Sequence, residues 1–91
     1  MSWFVYIVKC SDGSYYTGST NDIARRIDAH NKGRGAKYTA GRGPVSLVYT
    51  EPCPDRSLAV KREAGIKKLS RRQKAALIES SPRGGMEIEI E

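Results

Sequence analysis

The chain has 91 residues, of which 38% are hydrophobic, and this predicts a single globular domain with a small core. Its formal net charge of +6 favours a polyanionic partner such as nucleic acid. No apolar run approaches the roughly 18 residues that a membrane-spanning helix needs, and we find no export signal, so we expect a cytoplasmic protein.

The basic side chains are concentrated in one part of the chain. Residues 1–81 hold fifteen Lys and Arg against seven Asp and Glu, whereas residues 82–91 hold one against three. We therefore expect a basic domain over 1–81 and an acidic C-terminal tail over 82–91, whose alternating MEIEIE is either flexible or an added edge strand. Cys10 and Cys53 form no CxxC pair, so we expect two free thiols in a reducing compartment.

The first twenty residues predict a β-hairpin. Residues 3–9 (WFVYIVK) are mostly β-branched and aromatic, and apolar side chains occur at both odd and even positions. This pattern predicts a central strand covered on both faces. Ser11-Asp12-Gly13 is a turn signal, and residues 15–20 (YYTGST) predict the partner strand.

Two tyrosines ten residues apart are the most informative feature of this hairpin. Alternate residues of a strand face the same side of the sheet. Tyr6 and Tyr16 therefore share a face only if even-numbered residues of one strand pair with even-numbered residues of the other, so that the two residue numbers of each pair sum to an even value. A three-residue loop with Gly13 in the left-handed region meets this condition and places Tyr6 opposite Gly18, whose missing side chain leaves room beside the ring. We therefore predict the three-residue loop. The alternative is a pair of ordinary half-buried strand tyrosines.

The rest of the chain predicts one further strand and three helices, bounded by capping residues and proline breaks. We expect a helix from Asn21 or Asp22 to about residue 31, with an apolar stripe of Ile23 and Ile27, and then an exposed glycine-rich loop over 32–43. A strand over 45–51 follows, ended by Pro52-Cys53-Pro54. The last two elements are a helix over 56–68 capped by Asp55 and a helix over 71–80 that begins with a capping box of Ser70 and Gln73. The order ββαβαα indicates one α/β (α+β) domain, with a small three-stranded antiparallel sheet flanked by helices.

Three side chains on the predicted helices could carry chemistry. Arg26 and His30 are four residues apart and project from one face of the first helix. Glu63 shares a face of the second helix with Ala59 and Ile66, where a carboxylate is unusual unless it is paired or bound to a cation. The alternatives are a solvated arginine, a surface histidine, and a salt bridge from Glu63 to a neighbouring Lys or Arg.

Together these residues resemble the signature of the GIY-YIG endonuclease superfamily over nearly all of residues 3–78. The spacing of Tyr6 and Tyr16, the arginine ten residues after Tyr16, the histidine four residues later and the glutamate on the second helix coincide with that signature. Further likeness to its small bacterial members and structure-specific nuclease domains lies in residues 10–14 (CSDGS), 35–39 (GAKYT) and 62–71. The signature triplets are loosened here to Phe4-Val5-Tyr6 and Tyr16-Thr17-Gly18.

The resemblance implies hydrolysis of a phosphodiester with one divalent ion, Mg²⁺ or Mn²⁺, held by Glu63. It implies that Arg26 neutralises charge on the phosphate and that Tyr6 acts as general base or positions the attacking water. Tyr16 would position the nucleophile or a phosphate oxygen, and His30 would contact phosphate or relay a proton. Because a free phenol has a pKa near 10, Tyr6 would need nearby cations to lower its pKa, which the basic surroundings favour.

The resemblance also implies a nucleic acid, most readily DNA, as the substrate. The residues expected to bind it are Lys37, Tyr38, Lys67, Lys68, Arg71 and Arg72, for which a solvated basic face is the alternative. A nucleic-acid-binding module that does not cleave, or a subunit that needs a protein partner or a second copy of itself, would share these features. Many members of the superfamily carry a separate DNA-binding domain; none lies in these 91 residues, so we do not expect sequence-specific cutting, and structure-selective cutting is the alternative.

Overall fold

The computed structural model describes residues 2–81, which form a three-stranded sheet and three helices. The elements are β1 Trp3–Lys9, β2 Tyr15–Thr20, α1 Ile23–Asn31, β3 Ser46–Cys53, α2 Arg56–Lys67 and α3 Arg71–Glu79. The predicted order ββαβαα and the antiparallel sheet are confirmed. The predicted acidic tail, residues 82–91, lies outside the described residues. No helix within residues 2–81 is long and apolar enough to cross a membrane.

The sheet has the order β2-β1-β3, and β1 is antiparallel to both neighbours. As its sequence predicts, β1 is buried on both faces: Val5 and Ile7 face one core, and Tyr6 and Val8 face the other. The first core is closed by side chains of α2 and α3, and the second by side chains of α1. The sheet therefore lies between α1 on one side and α2 with α3 on the other, held by apolar burial on both faces.

The hairpin has the predicted register. Tyr6 pairs with Gly18, and Val8 pairs with Tyr16. The backbone amide of Cys10 donates to the carbonyl oxygen of Ser14 over 2.8 Å, which closes a three-residue loop, and Gly13 adopts the left-handed region with φ of 85°. Both tyrosines consequently lie on the α1 side of the sheet.

The predicted end of the third strand at Pro52 is wrong. β3 continues to Cys53, and Pro52 stands in register with Phe4 of β1. Proline has no amide hydrogen to donate, but β3 is an edge strand, so the side that faces away from β1 needs no donor. The strand therefore survives a residue that would interrupt a central one.

Each helix begins at a side chain that satisfies a free backbone amide. Asp22, rather than Asn21, caps α1, and Asp55 caps α2 by accepting from the amide of Leu58 over 2.9 Å. The predicted capping box of Ser70 and Gln73 opens α3. The two thiols are free and buried, Cys10 in the α1-side core and Cys53 in the other, as expected.

Two glycine substitutions should change stability in opposite directions. A β-carbon at Gly18 would lie 2.5 Å from the Tyr6 hydroxyl oxygen, whereas one at Gly65 would meet nothing within 4 Å. We expect Gly18→Ala to lower the free energy of unfolding by about 1–3 kcal/mol, since the buried ring has to move. Gly65→Ala should raise it by about 0.5–1 kcal/mol, because alanine has the higher helix propensity. Urea denaturation measures both, and equal effects would contradict the predicted crowding at Gly18.

Candidate active site

A buried hydrogen bond between Tyr6 and His30 lies at the centre of the candidate site. The Tyr6 hydroxyl oxygen is 2.7 Å from Nε2 of His30. Neither side chain has appreciable exposure: Tyr6 is 0% exposed and His30 is 1% exposed. His30 occupies the last turn of α1, and the ring of Tyr6 reaches it from the middle of β1. The histidine is thus a core residue of this site, not the surface histidine considered as an alternative.

The other ring nitrogen of His30 defines which tautomer the network favours. Nδ1 lies 2.8 Å from the hydroxyl oxygen of Thr39, and that hydroxyl donates its own hydrogen to the carbonyl oxygen of Ala36 over 3.1 Å. Thr39 can therefore only accept from His30, which places the proton on Nδ1. Nε2 is then an acceptor, and the phenol of Tyr6 donates to it.

Burial moves the two pKa values of this pair in opposite directions. It raises the pKa of Tyr6 above its ordinary value, and the neighbouring Arg26 opposes this rise only in part. It lowers the pKa of His30, and the positive charge of Arg26 lowers it further. Both effects favour the neutral forms. The expectation that basic surroundings lower the pKa of Tyr6 is therefore wrong, because loss of solvent outweighs the attraction to the guanidinium.

Arg26 joins the cluster from the preceding turn of α1. Its Nη2 donates to the carbonyl oxygen of Gly35 over 2.9 Å. Its Nε is buried, with no hydrogen-bond partner among the described residues. Arg26 also lines an open cleft at the N-terminal end of α1, together with Thr20, Asn21, Asp22, Arg25 and Ala29. The arginine is half-buried and is therefore not the freely solvated side chain considered as an alternative.

Tyr16 connects this cluster to the rest of the site. Its ring meets the His30 ring edge-on at 5.3 Å between centroids and stacks on Tyr38 at 5.8 Å. Nζ of Lys67 lies 5.5 Å from the same ring. Tyr6 and Tyr16 thus both contact His30, and Tyr16 extends from this buried pair towards α2.

Glu63 approaches from the opposite face of the sheet. Its Oε1 accepts from the Ser19 hydroxyl over 2.7 Å, and its Oε2 lies 2.7 Å from Nζ of Lys67. The salt bridge from Glu63 to a neighbouring lysine, considered as an alternative, is therefore present. It nevertheless belongs to the candidate site, because Lys67 lies over the ring of Tyr16. A Mg²⁺ or Mn²⁺ ion commonly uses one or two carboxylates plus water and phosphate oxygens, so Glu63 with its neighbouring hydroxyl fits such an ion, and the ammonium marks a cation position there. Residues 2–81 contain no group of three His, Cys, Asp or Glu side chains placed to hold a metal ion together.

Three of the six residues expected to bind nucleic acid, Tyr38, Lys67 and Arg71, lie against Tyr16 or Tyr15. Tyr38 is 40% exposed and has the guanidinium of Arg42 4.3 Å above its ring. Arg71 lies 4.8 Å above the ring of Tyr15. Lys67 is engaged with Glu63, and the remaining expected residues are exposed at other positions: Lys37, Lys68 and Arg72.

Three residues of the site were not identified from the sequence. Ser19 holds Glu63, Thr39 holds His30, and Gly35 lies so close to the imidazole that a β-carbon would clash with Nδ1. Gly35 and Thr39 both lie in the stretch GAKYT, whose resemblance to the family was the available signal. The loop over 32–43 was expected to be exposed, but it folds back so that Thr39 is buried.

We predict a pH dependence of stability that originates at His30, the one histidine in the chain. Because burial and then Arg26 lower its folded-state pKa, the unfolded chain binds a proton at higher pH than the folded protein. The free energy of unfolding should therefore fall as pH drops below about 6.5, and level off once the pH lies below the folded-state pKa. Urea titrations between about pH 8 and 5 measure this slope. His30→Gln should abolish it, and an unchanged slope in that variant would assign the effect to another group.

Comparison with known proteins agrees with this architecture. The family model described as the GIY-YIG catalytic domain matches residues 2–76. The UPF0213 protein DP2720 of Desulfotalea psychrophila is 56% identical over 84 residues, which cover 91% of this chain and 76% of that protein. The UPF0213 protein VNG_2274C of Halobacterium salinarum is 58% identical over 73 residues, covering 80% of this chain and 95% of that protein.

Solved structures give the same result. The solution structure of the UPF0213 protein BH0048 from Bacillus halodurans has a TM-score of 0.58 and 49% identity, covering 93% of this chain and 88% of that one. The solution structure of the protein EF2693 from E. faecalis has a TM-score of 0.61 and 45% identity, covering 88% of this chain and 85% of that one. With the family model matched over most of its length, the chain belongs to the GIY-YIG family.

Proposed function

We propose that this protein is a divalent-metal-dependent endonuclease that hydrolyses phosphodiester bonds in DNA. The catalytic residues would be Tyr6, Tyr16, Arg26, His30 and Glu63. The observation that carries the proposal is the buried pair in which the Tyr6 phenol donates to a neutral His30, with a guanidinium beside it. A purely structural tyrosine does not require a neutral imidazole oriented by a second hydrogen bond.

The pair supplies a base without a free phenolate. As the Tyr6 oxygen takes a proton from the attacking water, its own phenolic proton moves to Nε2 of His30, so the phenol stays neutral and the imidazole becomes charged. The raised pKa of Tyr6 opposes a lasting phenolate and the lowered pKa of His30 opposes a lasting imidazolium, so the transferred proton would stay on His30 only transiently. Because the Tyr6 side chain is fully covered in the free protein, substrate binding has to open a path to its oxygen. His30 is buried and hydrogen-bonded through both nitrogens, which supports proton relay over direct phosphate contact.

Arg26 is the residue placed to receive the phosphate. Among the described residues its buried Nε has no hydrogen-bond partner, which is unfavourable for a guanidinium donor, and an anionic phosphate oxygen would satisfy it. Its charge would oppose the negative charge that builds on the phosphate during the reaction. Tyr16, between His30 and Lys67, would hold a phosphate oxygen or the nucleophile.

Glu63 would hold the divalent ion, with Ser19 orienting the carboxylate. When bound, such an ion polarises the scissile phosphate and stabilises the leaving oxygen. The ammonium of Lys67 would leave the carboxylate and become available for a phosphate, because one carboxylate oxygen cannot serve two cations equally well. The exposed cations Lys37, Lys68 and Arg72 would add non-specific attraction to the DNA backbone. A structure-selective activity of this kind would serve DNA repair or processing.

A binding module without catalysis is the second candidate, and one observation favours it. Lys67 already neutralises Glu63, and within residues 2–81 no cluster of three metal-ligating acids, thiols or imidazoles forms. Such a module would bind DNA equally well after Glu63→Ala and would give no product with any divalent ion. A subunit that needs a partner would instead bind the ion and remain inactive by itself.

Loss of the Tyr6 hydroxyl should strongly reduce cleavage, whereas loss of a matched hydroxyl elsewhere should not. We expect Tyr6→Phe to reduce cleavage of branched, flapped or linear DNA in Mg²⁺ by about 10²–10⁴-fold, the usual contribution of a general base. Tyr49→Phe is its control, because Tyr49 is also buried and donates its hydroxyl to a carboxylate, on Glu51. Equal losses of cleavage in Tyr6→Phe and Tyr49→Phe would show that the loss comes from a less stable protein and not from a missing general base.

Loss of the metal-binding carboxylate should have a matching effect. We expect Glu63→Ala to remove Mg²⁺-dependent cleavage, since the chain then lacks the ligand for the ion. Glu51→Ala is the control, because Glu51 is likewise paired with a basic side chain, Arg62, over 2.9 Å. Cleavage that survives in both Tyr6→Phe and Glu63→Ala would point to another site or to a contaminating nuclease.

Thr39 should act as a positioning residue through His30. Thr39→Val keeps the volume but removes the acceptor for the Nδ1 proton, so the tautomer that accepts from Tyr6 loses its preference. We expect about a tenfold loss of cleavage, the equivalent of one hydrogen bond, and a displaced acidic limb in the pH–rate profile, because His30 has to be unprotonated to accept from Tyr6. Thr39→Ser should restore both. A loss that Ser does not restore, with an unmoved profile, would show that Thr39 only packs.

A further inference from the structure

A second cleft lies at the hairpin end of β2, lined by Ser14, Tyr15, Tyr38, Arg71 and Lys74. We propose that it binds an unpaired nucleotide of the strand that passes the candidate active site. The protein would therefore select nucleic acids with a single-stranded segment beside the scissile bond. This inference rests on the proposed function, because it names the substrate of the same site.

The cleft has the charge that a phosphate requires. Arg71 and Lys74 are three residues apart on α3 and therefore lie on one face of that helix. Among residues 2–81 the cleft lining contains no carboxylate, and the first turn of α3 carries no acidic side chain. The positive end of the helix dipole adds to the two cations. A phosphodiester is the anion that a nuclease of this family would bring here.

The other part of the lining is aromatic. Tyr15 and Tyr38 supply two phenol rings, and each has a guanidinium over it, from Arg71 at 4.8 Å and from Arg42 at 4.3 Å. Bases stack on aromatic rings and on guanidinium planes without regard to sequence. Tyr38 is 40% exposed, with Arg42 over its ring and Tyr16 stacked on it, so a base would meet the exposed part of the ring or the guanidinium plane.

The cleft is directly connected to the candidate catalytic residues. Tyr38 also stacks on Tyr16, which contacts His30. β2 is an edge strand, and it runs from Tyr15 in the cleft to Ser19 at Glu63, a span of about 13 Å at the usual rise per residue. A strand of nucleic acid lying along this edge would reach both places within a few nucleotides. A paired base has its faces covered by its neighbours and cannot enter, so the nucleotide in the cleft has to be unpaired.

The test measures binding separately from cleavage. Fluorescence anisotropy in EDTA measures the affinity of the full chain for two labelled ligands: an oligothymidylate of about twelve nucleotides and a hairpin duplex of equal length. We expect tighter binding of the oligothymidylate. Tyr38→Ala should weaken that binding by about tenfold, and Tyr38→Phe, which keeps the ring, should not.

The cations of the cleft need a matched control. Arg71→Ala with Lys74→Ala should lower the dependence of log K on log salt by roughly 0.7 for each phosphate that the protein no longer neutralises. The control is Arg56→Ala with Lys61→Ala, which removes the same two charges. Arg56 also lies over an aromatic ring, that of Trp3, at the end of β1 farthest from the hairpin. This control should change the single-strand affinity less than the cleft variant does.

Equal effects of the two double variants, or equal affinity for single strand and duplex, would overturn the cleft proposal. Cleavage of DNA by the wild type would leave the proposed function standing in that case. Conversely, single-strand binding that depends on Tyr38 and Arg71, in a protein that cuts nothing with Mg²⁺ or Mn²⁺, would support the cleft and reject the nuclease. The two proposals therefore fail separately.

Discussion

The hydrogen bond between Tyr6 and His30 is the contact on which the rest of the site depends. It joins the central strand to α1 inside the protein, and it is possible because two glycines lie beside it. Gly18 leaves space at the tyrosine hydroxyl and Gly35 leaves space at the imidazole. A polar pair buried this deeply is stable only when every donor and acceptor is satisfied, and Thr39 satisfies the remaining nitrogen of the ring.

The site wraps around the free edge of β2, and this explains its mixed electrostatics. Residues from the α1 side of the sheet form a neutral, desolvated pair beside the guanidinium of Arg26. Glu63 comes from the α2 side and meets them through Ser19 and through Lys67, which lies over the ring of Tyr16. A buried hydrogen-bonded pair and a partly exposed carboxylate with a cation beside it thus lie on the two faces of one strand. An open sheet edge allows this, because no further strand pairs with β2 among the described residues.

The loop over 32–43 packs against the candidate site and does more than connect α1 to β3. Gly35 and Thr39 fold onto His30, while Tyr38 turns outward and stacks on Tyr16. Arg42 fixes the end of the loop to the hairpin turn by bonding Asp12 over 3.1 Å. The same segment therefore orients the buried pair and supplies the exposed ring of the second cleft.

The sequence by itself determined the order of the elements, the register of the hairpin and the helix caps, because these depend on neighbours in the chain. The three-residue turn at Gly13 and the Ser70 and Gln73 capping box are of this local kind. Only the tertiary structure decided that Thr39 sets the proton on His30 and that Ser19 holds Glu63, since these pairs are 9 and 44 residues apart. It also decided the direction of the Tyr6 pKa. Composition shows the nearby cations, whereas the loss of solvent that outweighs them arises only when the sheet and α1 close over the ring.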